Sequence, residues 1–297
     1  MTLKQLYQKA FVGGQWSVAW RRKDSGQYAV VGTPENTWIA DPFLYEADGE
    51  HYLFVELYET SKEKACIAYY RFVDGAPVYQ GKIIEQPYHM SYPCIFEYKG
   101  NHYIIPESSA NQTIDLYMAA DFPQKWEKVA TLASGHRYVD TTVFCQNDAL
   151  YAVSYYKSSS GWQLEYFSLD IELKRLNSIS SKQYSTNIAR PAGSFYGKDG
   201  LIRPAQDCSR KYGEQILLYC VDCTNQSFDE HMVGTLNVEG LKLSPRPDRI
   251  HTLNADSLYE CVDVYFEKVD LLHGAKTLWR AYLKDFFSHN KGEQACV

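Results

Sequence analysis

A motif that returns about every fifty residues constrains this chain more than any other feature, because a period of that length marks a repeated supersecondary unit. Four segments align: Ala40-Asp-Pro-Phe-Leu…Asp-Gly…Phe-Val-Glu56, Ser91-Tyr-Pro-Cys-Ile-Phe…Lys-Gly…Ile-Pro-Glu107, Val139-Asp-Thr-Thr-Val-Phe…Asn-Asp…Tyr155, and Ala189-Arg-Pro-Ala-Gly-Ser-Phe…Asp-Gly…Gln206-Asp207. Their equivalent positions, Asp41, Tyr92, Asp140 and Arg190, follow one another at 51, 48 and 50 residues. Each segment alternates Tyr, Val, Ile and Phe with polar residues and breaks at a turn pair, the pattern of a β-hairpin. A four-stranded propeller blade has this period. A fifth, more divergent unit runs from Ile250-His251-Thr252 to Phe266. The expected fold is therefore all-β, a five-bladed β-propeller with a central-channel site. It is read as one domain over 1–297 with blades at 35–75, 88–120, 136–170, 187–222 and 248–285. The N-terminal segment 1–30, through Gln15-Trp-Ser-Val-Ala-Trp20, is expected to close the ring with the last blade.

The turns act as rulers for antiparallel pairing. Counting outward from Asp48-Gly49 sets Asp41 opposite Glu56; the same count sets Tyr92 opposite Glu107 and Asp140 opposite Tyr155, and a longer loop sets Arg190 opposite Asp207. If these hairpins are the inner strands of successive blades, their ends ring one mouth of the channel. Asp41, Glu56, Glu107, Asp140, Arg190, Arg203 and Asp207 then converge, with His89, Tyr92, Gln206 and His251 beside them. Charges crowded into a narrow mouth require mutual pairing and shift one another's pKa values, which acid–base chemistry uses. An ion-pair network that merely fixes blade registry is the plainer alternative.

Composition bounds the function classes. A formal net charge of -6 supplies no basic stripe for a nucleic-acid backbone. No apolar run is long enough for a membrane helix, and the N-terminus lacks the apolar stretch of a secretory signal, so a cytoplasmic protein without a transmembrane segment is expected. Eight cysteines are too few for a disulfide scaffold in a chain this long and read as reduced thiols. Cys220-Val-Asp-Cys223 has redox or zinc spacing but lacks a second pair, and no ligand cluster has diagnostic metal spacing. The tail 276–287 is read as a last strand or a short helix.

The strings Trp38-Ile-Ala-Asp-Pro-Phe-Leu44, Ser91-Tyr-Pro93, Ile105-Pro-Glu-Ser108, Phe122-Pro-Gln-Lys-Trp126, Val139-Asp-Thr141, Ala189-Arg-Pro-Ala-Gly193 and Ile202-Arg-Pro-Ala-Gln-Asp-Cys208 together resemble the N-terminal region of glucosamine inositolphosphorylceramide transferases and related bacterial proteins, over roughly residues 35–270. More distantly the pattern is similar to the five-bladed propellers of family 43 glycoside hydrolases. That second resemblance implies a catalytic base at Asp41 and a pKa-modulating carboxylate at Asp140. Its acid does not carry over: the fourth blade shows Arg190-Pro-Ala-Gly193 in place of a glutamate, and the nearest carboxylates are Asp207 and Glu107.

The resemblance implies a carbohydrate-active enzyme. A glycosyltransferase would take an activated, phosphate-linked sugar and a carbohydrate or glycolipid acceptor, in surface polysaccharide or glycolipid synthesis. Arg190 and Arg203 would clamp the phosphate, Asp41 would deprotonate the acceptor, and Asp140 or Glu107 would position the sugar. The leading alternative is a glycoside hydrolase with Asp41 as base and Glu107 or Asp207 as acid. A non-catalytic sugar-binding module, with Trp38, Tyr58, Tyr92, Tyr138 and Tyr212 stacking on sugar faces, is a third reading. No metal ligand set is assigned; a divalent cation on the axis facing His251 stays open, as does the oligomeric state.

Overall fold

The computed structural model of the chain describes residues 12–197, 201–224 and 227–269. The tail 276–287, the end of the fifth repeat and residues 1–11 lie outside the described residues. Two compact units are distinguished, Trp16–Val264 and the pair of chain ends Met1–Gln15 with Tyr265–Val297.

Among the described residues, twenty strands build five four-stranded antiparallel sheets. The chain opens with β1 (Val12–Arg22) and the short β2 (Ala29–Val30). Blade one is β3 (Thr37–Ala47), β4 (Glu50–Glu59), β5 (Lys64–Val73) and β6 (Ala76–Ile84). Blade two is β7 (Ser91–Tyr98), β8 (Asn101–Ser108), β9 (Thr113–Asp121) and β10 (Lys125–Ser134). Blade three is β11 (Val139–Gln146), β12 (Ala149–Ser158), β13 (Gly161–Asp170) and β14 (Arg175–Tyr184). Blade four is β15 (Arg190–Pro191), β16 (Leu201–Asp207), β17 (Gln215–Thr224) and β18 (Ser227–Leu236). In the fifth sheet β19 (Arg249–Ala255) and β20 (Tyr259–Val269) are joined by the N-terminal strands in the order β19-β20-β1-β2. Each of the other four blades follows sequence order from its first strand outward. The chain is thus a five-bladed β-propeller, and its only described helices are two short 3-10 turns at Ser109–Asn111 and Val238–Gly240.

The first strands meet around the centre: β3 contacts β7 and β19, and β11 contacts β7 and β15. Their middles are buried in unbroken runs, six residues in β3 and five in β7, as expected where both faces of a strand are covered. Burial falls toward the fourth strands, where β6 and β10 alternate or expose their residues. Between the blades lie the cores. Phe43, Phe54, Met90, Ile104 and Ile105 share one with residues of blade three, while Ile39, Leu53, Tyr70 and Tyr259 share another. Among the described cysteines no disulfide forms, and Cys220 and Cys223 sit within β17. No described helix is long and apolar enough to cross a membrane.

The hairpin register departs from the turn count in one repeated way. Glu56 lies opposite Ala40, Glu107 opposite Ser91 and Tyr155 opposite Val139, each one residue short of the count. The cause is a β-bulge, with register shifts between Ala40 and Phe43, Ser91 and Cys94, and Val139 and Thr142. The first bulged residue is left-handed every time, with φ of 47° at Asp41, 46° at Tyr92 and 51° at Asp140. A bulge inserts an unpaired residue and re-aims its side chain, so the aligned positions are the ones freed from the ladder. In blade four the count fails too: Arg190 pairs with Gln206, and Asp207 pairs across to Gln215. There the chain passes Leu253 so closely that a Cβ on Gly193, at φ 125°, would come within 2.0 Å of the Leu253 carbonyl oxygen. Only glycine fits that approach.

Candidate active site

Asp140, at its bulge, meets Glu107 and Arg190, and the three come from blades three, two and four. The Arg190 guanidinium binds Asp140 through Nε and through a second bond of 3.1 Å, and reaches Glu107 Oε2 at 3.2 Å. Gln206 Nε2 donates to Asp140 Oδ2, the oxygen that Arg190 Nε also binds, at 2.8 Å and to the Pro191 carbonyl at 3.0 Å. Ser109 Oγ donates to the other Glu107 oxygen at 2.6 Å. Burial pushes the Asp140 carboxyl up, the Arg190 charge opposes it and Glu107 adds to it, with a net rise to about 7. The edge of this cluster is formed by Tyr212, whose ring lies under the Arg190 guanidinium at 5.6 Å and is 40% exposed.

Asp41 belongs to a second, adjoining set. Its Oδ2 accepts the Tyr92 N–H at 3.2 Å, and its Oδ1 lies 3.3 Å from His251 Nε2. The opposite imidazole nitrogen, Nδ1, is 2.6 Å from Asp263 Oδ2. Asp263 also accepts the backbone N–H groups of Asp41 at 3.0 Å, His251 at 3.2 Å and Thr252 at 2.8 Å. The His251 ring packs 4.0 Å from Trp16 and 5.0 Å from Tyr212, centroid to centroid. Asp41 is held well above the usual carboxylate range, first by burial, then by the negative charges of Glu56, Asp140 and Asp263, against which Arg190 acts. The two sets are thus electrostatically one site.

Asp41, His251 and Asp263 each offer one ligand atom within 4.8 Å of the others. Asp263 accepts three backbone N–H groups, while Asp41 Oδ1 and His251 Nδ1 make no hydrogen bond. Dedicated divalent-cation cages use about six to eight oxygen ligands, more than these three residues offer by themselves.

The remaining candidates separate. Glu56 is buried beside the site and takes a bond from His89 Nε2 at 3.1 Å. His89 Nδ1 accepts the Ala65 N–H at 3.3 Å, so Nε2 carries the donated hydrogen. The Glu56 bond outweighs burial and raises the His89 pKa. Tyr92 is enclosed: its hydroxyl bonds Thr142 at 2.7 Å and accepts the Gly193 N–H at 2.7 Å, so it ties blades two, three and four together and presents no face to a ligand. Asp207 turns away from Asp140, because consecutive strand residues face opposite sides. It accepts from Ser209 N at 3.0 Å and Gln215 Nε2 at 2.9 Å; burial pushes its carboxyl up, but these bonds outweigh it and hold it below the usual range.

Arg203 does not take part in a phosphate clamp. It is 0% exposed, chelates Glu230 on β18 through two bonds, donates to the Ala189 carbonyl at 3.0 Å and lies over the Tyr219 ring. Nothing local in the sequence pointed to Glu230, which sits two strands away from Arg203. Arg203→Met is expected to cost about 3–5 kcal/mol in chemical denaturation, because Glu230 would stay buried without its partner. Arg203→Met combined with Glu230→Met should recover most of that loss; equal losses in the single and the double variant would refute a paired core role.

Asp140 also makes a pH prediction. Its folded pKa is raised, so the folded state holds this proton more tightly than the unfolded chain does. That stabilisation is fully present below the unfolded value near 4 and is lost as pH climbs through about 7. Asp41 and His89, also raised, act in the same direction. The melting temperature is expected to fall between pH 5 and 8, and Asp140→Asn should reduce that fall; an undiminished fall would show that Asp140 titrates elsewhere.

The site residue sequence reasoning missed is Asp263. A carboxylate inside the apolar run Cys261-Val-Asp-Val264 was the available sign.

Among solved structures the chain is similar to a thermostable family-43 glycoside hydrolase, with a TM-score of 0.56, 12% identity, and coverage of 80% of this chain and 91% of that one. The catalytic domain of the Coprinopsis cinerea GH62 α-L-arabinofuranosidase gives a TM-score of 0.54 at 14% identity, with coverage of 83% and 97%. At such identities the likeness is one of fold. By sequence the chain is 27% identical over 215 residues to glucosamine inositolphosphorylceramide transferase 1 of Arabidopsis thaliana, covering 68% of this chain and 28% of that protein. The same protein of Oryza sativa subsp. indica is 26% identical over 228 residues, covering 71% and 30%. This chain therefore spans less than a third of the curated relatives it matches. Residues 12–261 match the family described as "Glucosamine inositolphosphorylceramide transferase 1, N-terminal"; Asp41, Glu107, Asp140, Arg190 and the three bulges lie inside that match, and Asp263 lies two residues beyond it: the chain belongs to this family.

Proposed function

We propose that this chain is a carbohydrate-active enzyme that transfers a sugar from a phosphate-linked donor to a hydroxyl acceptor, a carbohydrate or a glycolipid. The observation that carries the reading is Arg190, whose guanidinium is held between Asp140 and Glu107 where a hydrolytic propeller would present a free acid. A guanidinium cannot protonate a leaving group, but it stabilises a departing anion. The curated relatives, named glucosamine inositolphosphorylceramide transferase 1, agree with it.

In the proposed step the acceptor O–H gives its proton to the Asp41 carboxylate, and the acceptor oxygen bonds the anomeric carbon. The anomeric C–O bond to phosphate breaks, and its electron pair leaves on the phosphate, which needs no proton. Asp140 and Glu107, aligned by Arg190, Gln206 and Ser109, stabilise the positive charge that builds on the sugar. Asp263 and His251 hold Asp41 in place. The elevated pKa of Asp41 makes its ionised form a competent base.

The alternative is hydrolysis, favoured by one observation: Asp140, near neutrality, can exist as a carboxylic acid. The test incubates the protein with nucleoside diphosphate sugars and sugar 1-phosphates, with and without oligosaccharide or inositol-phosphate acceptors. Acceptor-dependent release of the phosphate supports transfer. Release of reducing sugar from oligosaccharides alone would replace it with hydrolysis.

A further inference from the structure

We propose that the cavity between blades two and three, beside Arg190, binds the phosphoryl group of a phosphorylated carbohydrate; this deepens the transfer reading and rests on it for the identity of the sugar. The cavity has a volume of about 420 Å³, and Arg190 forms part of its wall. Its other polar walls come from Arg137, at the entrance to β11, from Lys157, near the end of β12, and from Gln112 and His136. No aspartate or glutamate lines it, although the chain as a whole carries a net charge of -6. Arg137 and Lys157 bring two cations to one recess of an acidic protein, so an anion there meets a guanidinium fork and an ammonium beside an Arg190 already paired with Asp140 and Glu107.

The recess is also shaped for a ring system. Trp162, directly across the hairpin from Lys157, stacks on Tyr155 with 5.3 Å between centroids and 2° between planes. The Lys157 ammonium lies 5.5 Å over the same indole. His136 stacks on Tyr156 at 4.6 Å. Aromatic walls fixed by their own stacking give a ligand ring a rigid surface and lose little entropy on binding.

Position completes the case. Arg190 bridges the two regions: it lines the cavity and also binds Asp140 and Glu107. A phosphoryl group lodged against Arg137 and Lys157 would therefore place the carbon bearing it toward the carboxylates. This supplies the second cationic contact that buried Arg203 does not. A phosphoryl group on a sugar is common to nucleoside diphosphate sugars and to inositol-phosphate lipid headgroups, and the cavity's chemistry suits both.

Calorimetric titration on the full chain decides it. The probes are UDP-glucose, UDP, glycerophosphoinositol and inorganic phosphate, with glucose and inositol as uncharged controls. At least one phosphorylated probe should bind at least tenfold more tightly than its uncharged counterpart. Arg137→Ala and Lys157→Ala should each weaken it about tenfold without changing the melting temperature, since both side chains are exposed, while Lys125→Ala, at the opposite end of β10, should not. Preference for UDP-glucose names a soluble donor; preference for glycerophosphoinositol names a lipid headgroup. The proposal is overturned if no phosphorylated probe binds, or if binding survives both substitutions. Binding without turnover would sink the transfer reading and leave the cavity standing; turnover indifferent to Arg137→Ala and Lys157→Ala would do the reverse.

Discussion

Asp263→Ala is expected to lose on the order of 5 kcal/mol or more of stability, because three buried backbone N–H groups would be stranded at about 1–3 kcal/mol each. The donors come from both sides of a blade junction: Asp41 belongs to blade one, His251 and Thr252 to the blade that the N-terminal strands complete. A propeller stands or falls with the contact between its first and last blades, so the loss falls on ring closure itself. For a domain of this size the melting temperature should drop by more than about 10 °C. If the alanine variant does not fold, Asp263→Asn gives the same information, since its carbonyl oxygen keeps part of the N–H set and should lie between the wild type and the alanine variant. A drop of only one or two degrees in both would mean that water replaces the carboxylate and that closure rests on the apolar cores.

Asp41→Asn is expected to lower transfer by a factor of about 10² to 10⁴, the usual worth of a positioned general base. Asparagine keeps the shape and an acceptor for the Tyr92 N–H, so folding and donor binding should be nearly unchanged. This separates a chemical role from a structural one. The pH profile supplies a second readout. Only the ionised carboxylate accepts the proton, and burial together with Glu56, Asp140 and Asp263 raises the pKa, so activity should climb with pH over a limb shifted above the ordinary carboxylate range. An asparagine variant within tenfold of the wild type, or a rate independent of pH, would remove Asp41 from that role.

The repeat, its count and the strand-rich composition made the propeller legible before any coordinates, because a blade of four strands needs about fifty residues and five copies of that length fill the chain. Asp41, Asp140, Glu107 and Arg190 were legible for the same reason, as residues at matching places in successive repeats. The bulge was visible only as a hint: Pro42 and Pro93 interrupt strands that otherwise read as central, and proline inside a sheet marks an edge or a bulge. Missing it moved the pairing in blades one to three by one residue; in blade four Gln206 takes the place opposite Arg190 that the count gave to Asp207, with no register shift between the strands.

What the sequence determined by itself is what periodicity and local chemistry encode: the all-β class, the blade length, and which positions recur at the inner hairpins. The tertiary structure decided which of those positions share a site. Arg190 and Arg203 stand thirteen residues apart and look alike in sequence, yet one guanidinium bridges Asp140 and Glu107 while the other is closed in by Glu230, two strands away. Nothing local separates them, because a charge is buried or available according to the partner the fold delivers, and those partners come from Glu107, 83 positions from Arg190, and Glu230, 27 from Arg203. Asp263 carries the same lesson over 222 positions, reaching the Asp41 N–H only once the ring has closed.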